Sequence, residues 1–154
     1  MMNEQNKKVV QKIEKIVQKI VLGGVVVKDG KILILQRHKD EDVYPNMWEL
    51  PSGKREPLEP SETSLIREVR EETGLDVKII IPFSVFDYQI EKPDEIRDST
   101  QINFLVTPVS NNVVLSEEHQ AFAWITKDEI DQYELTEATK GVIKKAFEII
   151  DKIT

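Results

Sequence analysis

The densest chemistry in the chain lies between Gly53 and Leu75, GKREPLEPSETSLIREVREETGL, where Glu68, Glu71 and Glu72 follow one another at helical spacing. At about 100° per residue, these three carboxylates fall within an arc of about 100°, and Leu65, Ile66 and Val69 cover the adjacent arc. The apolar stripe of such a helix is buried while the carboxylates line its border. Like charges packed so closely repel each other. A hard divalent cation offsets that cost, because Mg²⁺ takes oxygen ligands and joins carboxylates to a substrate phosphate. Arg67 and Arg70 lie farther round the helix, and Arg67 reaches Glu71 at i,i+4. Glu-rich helices are more often simple solvated faces, so the triplet alone does not decide between the two.

The elements that must hold this helix are legible as alternating patterns. Ser61 to Thr73 reads as the helix itself, with Pro60 and Ser61 as start signals and Gly74 as the stop. Ile20 to Lys28 reads as a buried strand, followed by an Asp29-Gly30 turn and a second strand from Lys31 to Arg37. His38 to Met47 is a polar surface loop, and Trp48-Glu49-Leu50-Pro51 a short strand ended by its proline. Val77 to Ile90 and Gln101 to Val109 read as strands joined by the charged stretch Glu91 to Ser99. Ala121 to Ile125 is a further short strand; Thr126 to Gln132 and Thr136 to Asp151 are helical, the latter with Val142, Ile143, Ala146, Phe147 and Ile150 on one side. This is one α/β domain, strands preceding and following a central helix.

Residues 1–19 stand apart as an N-terminal amphipathic helical extension, with the domain at 20–154. Val9, Ile13, Ile16, Val17 and Ile20 recur at helical spacing from Lys7 to Lys19, among five lysines. A basic helix of this kind lies on a membrane surface or packs on its own domain or a second subunit, and the packed reading, which admits a homodimer, is preferred. The apolar run Ile20 to Val27 is far shorter than the roughly 20 residues of a bilayer span, and no small-residue cleavage site follows it.

Composition narrows the function further. The chain has 154 residues, 40% hydrophobic and 32% charged, which is enough for one core without disulfides or a structural metal. A net charge of −7 makes it a poor general nucleic-acid binder. The absence of cysteine rules out a disulfide framework, a thiolate metal site and a cysteine nucleophile. It also fits a reducing cytoplasm.

The wider pattern changes the weight of the glutamate triplet. Gly53, Glu59, Arg67, Glu68, Val69, Glu71, Glu72, Gly74 and Leu75 match, without a gap, the signature G-x5-E-x7-R-E-U-x-E-E-x-G-U, where U is a bulky aliphatic residue. In this the chain resembles the Nudix hydrolases (MutT-like), which cleave nucleoside diphosphates linked to another moiety. The resemblance extends from about Gly23 to Ile125, through Gln36-Arg37, Trp48-Glu49-Leu50-Pro51 and Glu118-His119 upstream of Trp124. It implies an α/β/α sandwich with a mixed sheet.

Carried over position by position, the resemblance makes Glu68 and Glu72 the principal metal ligands and Glu71 a further ligand or a supporting group. Arg67 would orient them, and Glu59 would lie at the edge, binding an additional ion or a water-linked shell. The backbone carbonyl before the box glycine, here Ser52, would complete the set, with Mg²⁺ as the metal and Mn²⁺ as a substitute. Ser52 and Leu58 both stand where the family often has glycine, which puts the loop geometry in question. Metal-bridged phosphate oxygens lose the charge that repels a nucleophile, and the bound water's pKa falls. A carboxylate then takes its proton; Glu72, Glu68, Glu71 and Glu118 are all open as that base. Glu118 and His119 read equally well as an ordinary solvated turn.

Arg37 resembles the family's phosphate-contacting arginine, and Phe86 and Tyr88 are candidates for stacking on a base, although strand-end arginines are mostly surface charge and alternating aromatics mostly core. Trp48 reads as a packing residue. Downstream marks of particular substrates are absent: Ile90 stands in the region of the ADP-ribose proline, Glu91 to Pro93 in that of the dinucleoside-polyphosphate tyrosine, and Ile81-Pro82-Phe83-Ser84 lacks the NADH pattern. The expectation is therefore a nucleoside triphosphate. Its alternatives are ADP-ribose or another nucleotide sugar, and a non-catalytic nucleotide-binding regulatory domain.

Overall fold

The computed structural model describes residues 15–153. Seven strands form a mixed, strongly curled sheet: β1 (Lys15–Lys28), β2 (Lys31–Arg37), β3 (Trp48–Glu49), β4 (Ser52–Lys54), β5 (Val77–Glu91), β6 (Glu95–Pro108) and β7 (His119–Ile125). Their order is β3-β2-β1-β6-β5, with β4 also paired to β1 and β7 to β2. Two α-helices cover it, α1 (Ser61–Thr73) and α2 (Glu137–Ile153), and a 3₁₀ turn spans Lys127–Gln132.

Strand alternation divides the core into two halves. Leu22 and Val26 of β1, with Leu33 and Leu35 of β2, face Leu65 and Val69 of α1. Their neighbours Val25, Ile32 and Ile34 face Val142, Ile143, Ala146, Phe147 and Ile150 of α2. Both faces of the sheet are therefore apolar, and one helix lies on each: the α/β/α sandwich expected from the sequence. At about 25 cal/mol per Å², each fully buried Leu or Ile contributes on the order of 1.5–3 kcal/mol.

Helix α1 has the bounds its end signals predict. Pro60 is its N-cap, in extended backbone (φ −59°, ψ 140°), and no side chain caps the first turn. Gly74 closes it in the left-handed conformation (φ 72°), its N–H donating to the Arg70 carbonyl, a geometry that favours glycine.

Two expectations are corrected. Lys15 to Lys19 is not the end of a helix but the start of β1, paired in parallel with β6 from Lys15↔Glu95 onward. The rest of the expected extension, residues 1–14, lies outside the described residues. The charged stretch Glu91 to Ser99 is mostly strand as well: β5 runs to Glu91, and β6 resumes at Glu95 after a turn closed by Lys92 N–H to Glu95 O at 2.8 Å. Lys15 to Lys19 and Glu95 to Ser99 are each other's partners, about eighty residues apart, while Ile90 and Glu91 pair with Arg97 and Ile96 close by. Ladder pairing of Ile16, Val17 and Ile20 outweighs a weak helical periodicity.

Candidate active site

The buried stripe of α1 fixes which of its side chains reach the site. Leu65 and Val69 anchor the helix, so Glu68 and Glu72 emerge along its border toward β3 and β4 while Glu71 and Arg70 stay exposed. Glu72 is only 7% exposed, an unusual place for a carboxylate.

Arg67 organises one end of the cluster. Its Nε and Nη2 donate to the two oxygens of Glu59 at 3.0 and 2.9 Å, a bidentate pair. Its Nη1 donates to Glu68 at 2.9 Å and to Glu71 at 3.2 Å. The guanidinium, through these hydrogen bonds and its charge, holds Glu59 down to about 2, and its own pKa is raised chiefly by Glu59. Glu59 thus meets Arg67 with both oxygens rather than presenting an open carboxylate. The loop beneath is tied by Arg55, whose Nε donates to the Glu59 carbonyl at 2.8 Å.

The other end has no such cation. Glu72 accepts a hydrogen bond from the Ser52 N–H at 3.3 Å, and its nearest basic group is His119 Nε2 at 3.9 Å. Burial, then the charges of Glu49, Glu118 and Glu68, push its pKa up to about 9, against which the Ser52 hydrogen bond acts only in part. Glu68 is also raised, first by burial, with Arg67 opposing. His119 is itself buried and bonds Glu49 through Nε2 at 2.8 Å. Glu49 in turn receives Arg37 Nη1 at 3.3 Å.

Gly53 opens β4 to this helix. A Cβ there would fall on the Glu68 carboxylate, so only glycine lets the strand pass so close. Ser52 keeps ordinary strand backbone rather than a positive φ, so serine fits where the sequence raised doubt. Leu58, the other departure from glycine, does adopt φ 64°, with its side chain 97% exposed.

Glu49 and Ser52 also border a cleft of ≈ 540 Å³. Phe86 and Tyr88 line it with ring centroids 5.7 Å apart, together with Arg37, Lys92 and Arg97. Tyr88 thus lines the cleft, and Phe86 both lines it and packs against the core cluster on the α2 side, as alternation favoured. Arg37 lines the cleft too, but its Nε is bound to the Val43 carbonyl at 2.8 Å and its Nη groups to Glu41 and Glu49. Trp48 packs edge-on against Tyr133 at 4.9 Å, as a packing residue would, and shares the cleft wall. Glu118 is exposed on the loop before β7 and acts on Glu68 and Glu72 through charge. The Glu49–His119 bond is the feature sequence reading missed; its only trace was the two residues' separate appearance in short motifs.

The side chains at the open end, Glu49, Glu68 and Glu72, present hard oxygens, and among the described residues no guanidinium or ammonium is paired with the buried Glu72 carboxylate. A hard divalent cation fits that set. Among the described residues no three acidic or histidine side chains converge on one point, because Glu68 is turned to Arg67.

An acidic helix border beside an aromatic-walled, cation-lined cleft, on an α/β/α sandwich, is the layout of an enzyme for phosphate anhydrides. The NUDIX domain profile matches residues 19–146, and the chain belongs to that family, the pyrophosphate-cleaving Nudix hydrolases that generally require a divalent metal. It is 29% identical to the nucleoside triphosphatase NudI of Klebsiella pneumoniae (strain 342), over 83% of this chain and 96% of that protein. It is 31% identical to the CTP pyrophosphohydrolase of Escherichia coli (strain K12), over 77% and 83% respectively. The crystal structure of a MutT NUDIX hydrolase from Burkholderia pseudomallei superposes with a TM-score of 0.69 at 28% identity, covering 85% of this chain and 96% of that one.

Proposed function

We propose that this Nudix hydrolase cleaves a pyrophosphate bond of a nucleoside triphosphate, with Mg²⁺ as its metal and Mn²⁺ able to replace it. The observation that carries the reading is the juxtaposition of a carboxylate end lacking a cation with a cleft that offers rings for a base and cations for phosphates. The names of the relatives, a nucleoside triphosphatase and a CTP pyrophosphohydrolase, point the same way.

In this reading Glu68, Glu72 and the Ser52 carbonyl would hold the metal. When bound, the metal screens the phosphate charge, polarises phosphorus and acidifies water. The chain's own groups do the rest. Arg67 fixes Glu68 and Glu71 from behind and is itself fixed by Glu59. Phe86 and Tyr88 seat the base. Water adds to phosphorus, the anhydride P–O bond breaks, and a carboxylate accepts the water's proton. Glu118 suits that step, because among the described residues its carboxylate carries no hydrogen bond and it faces the cluster electrostatically.

The test is phosphate and pyrophosphate release from a panel of nucleoside di- and triphosphates, sugar nucleotides and dinucleotides at alkaline pH, with Mg²⁺ and then with EDTA. Triphosphates should head the panel, and EDTA should abolish turnover while far-UV circular dichroism stays unchanged. Undiminished turnover in EDTA, or preference for a sugar nucleotide, overturns it.

A further inference from the structure

Beside Phe86 in the cleft wall, Gln101 forms with the buried Asn103 a pair of side-chain amides that the carboxylate chemistry does not use. Gln101 of β6 is the direct cross-strand partner of Phe86. Both line the main cleft and a smaller recess of ≈ 70 Å³ beneath it. Gln101 Nε2 donates to Asn103 Oδ1 at 2.9 Å. Asn103 is fully buried (0% exposed) over Gly23, where a Cβ would collide with Asn103 Oδ1 and come within 3.0 Å of Gln101 Nε2. The two amides are therefore laid against the backbone of β1 and have no room to swing toward it.

This leaves two atoms unused. Asn103 Nδ2 is buried with no hydrogen-bond partner among the described residues. Gln101 Oε1 accepts no hydrogen bond among the described residues either, and its side chain borders open space. A buried pair with an orphaned donor costs stability that an apolar pair would not, so stability is not what it supplies. What it supplies is direction: with Nε2 held by Asn103, Oε1 is the amide end left without a partner beside the cleft.

We propose that Gln101 reads the edge of the nucleobase, accepting a hydrogen bond from an amino group, and that Asn103 is the positioning residue that fixes which end of the amide faces the base. The inference rests on the nucleoside triphosphate reading and adds a base preference to it. A ring stacked on Phe86 brings its edge to the cross-strand neighbour. Cytosine places an amino group there; uracil places a carbonyl, oxygen against oxygen. Among the other polar groups of the wall, Thr136 and Thr139 have hydroxyls that serve as donor or acceptor, Arg97 and Lys92 donate only and so favour a carbonyl, and Glu49, an acceptor, is already bonded by Arg37 and His119.

The experiment compares kcat/KM for CTP and UTP, two substrates of nearly equal shape, on the full chain with Mg²⁺. The wild type should prefer CTP by about tenfold, the worth of one well-placed hydrogen bond. Gln101→Leu should remove the preference, bringing the CTP and UTP values together. Gln101→Lys, which turns the acceptor into a donor, should reverse it. Asn103→Leu should also remove the preference, mainly through KM, since the freed amide then presents either end; a merely structural residue would lower both substrates alike. Circular dichroism confirms that each variant is folded, and the partly exposed Gln101 variants suffice if Asn103→Leu is not. A wild type that hydrolyses both without preference, or a preference that survives both Gln101 changes, overturns the proposal. A wild type inactive on every nucleoside triphosphate instead overturns the nucleotide reading on which it stands.

Discussion

Glu59 and Glu72 belong to the same short signature and end in opposite electrostatic states. Glu59, bonded twice by Arg67, is held down to about 2. Glu72, buried beside Glu49, Glu118 and Glu68, is pushed up to about 9. The difference is not one of residue type or helix propensity. One end of the cluster has been given an internal cation, so it is complete in the protein alone. The other has a comparable density of acidic groups without one, and it is there that the proposed cation would act.

The sharpest way to break that contrast is at the open end. Glu72→Gln should lower kcat at least about a hundredfold, because it removes the charge of a proposed metal ligand while keeping the shape. The same change at Glu62, exposed on the first turn of α1, should leave kcat nearly unchanged. Equal losses in a steady-state assay would show that helix charge in general, and not this end of the site, matters.

At the closed end the loss should appear in stability. Arg67→Gln leaves Glu59, Glu68 and Glu71 facing one another without their cation. Because the guanidinium is about 30% exposed, solvent screens part of the effect. We expect a loss of about 1–2 kcal/mol in urea denaturation, with EDTA present. No change would mean that the network is ornamental.

A smaller effect of opposite sign is expected at Glu72 without metal. Glu72→Gln should raise metal-free stability by a few tenths of a kcal/mol up to about one, because the folded wild type must keep this buried carboxyl protonated while the unfolded chain is ionised. Glu68→Gln should not, because it also discards the 2.9 Å bond to Arg67. The sign with pH follows. A carboxyl raised from 4.5 to about 9 on folding is protonated in the folded chain where the unfolded chain is already ionised. Its stabilisation is therefore intact below 4.5 and is lost as pH rises toward about 9. Melting temperature in EDTA should fall more steeply between pH 6 and 9 for wild type than for Glu72→Gln, and excess Mg²⁺ should reverse the ranking. Glu59 runs the other way: its contribution is present above the ordinary 4.5 and disappears only as pH falls through about 2. Parallel melting curves for wild type and Glu72→Gln across the alkaline range would refute the contrast.

The least effect belongs to the loop between the two ends. Leu58→Gly relieves a left-handed backbone but loosens the unfolded chain, and the two nearly cancel, so stability should stay within about 0.5 kcal/mol of wild type. A larger shift in either direction would show that the exposed leucine is held by something else.

What was legible in the residues depended on how far each signal reaches. Pro60, the Leu65–Val69 stripe and Gly74 lie within one helix, and they set its bounds and the border on which Glu68, Glu71 and Glu72 stand, because caps and a 3.6-residue period act within a few turns. The hairpin at Asp29-Gly30 was local in the same way. Alternation in β5 placed Phe86 and Tyr88 on one face without saying whether that face was core or cleft, since a period of two is blind to what covers it. Tertiary structure alone made Lys15 to Lys19 a strand, by bringing β6 alongside. It alone also gave Glu59 to Arg67, brought His119 to Glu49 across seventy positions, and buried Glu72 among other charges. Sequence can place a carboxylate on a helix, but its charge state is set by the solvent it loses and the neighbours it gains, and those come from parts of the chain that meet only when the sheet closes.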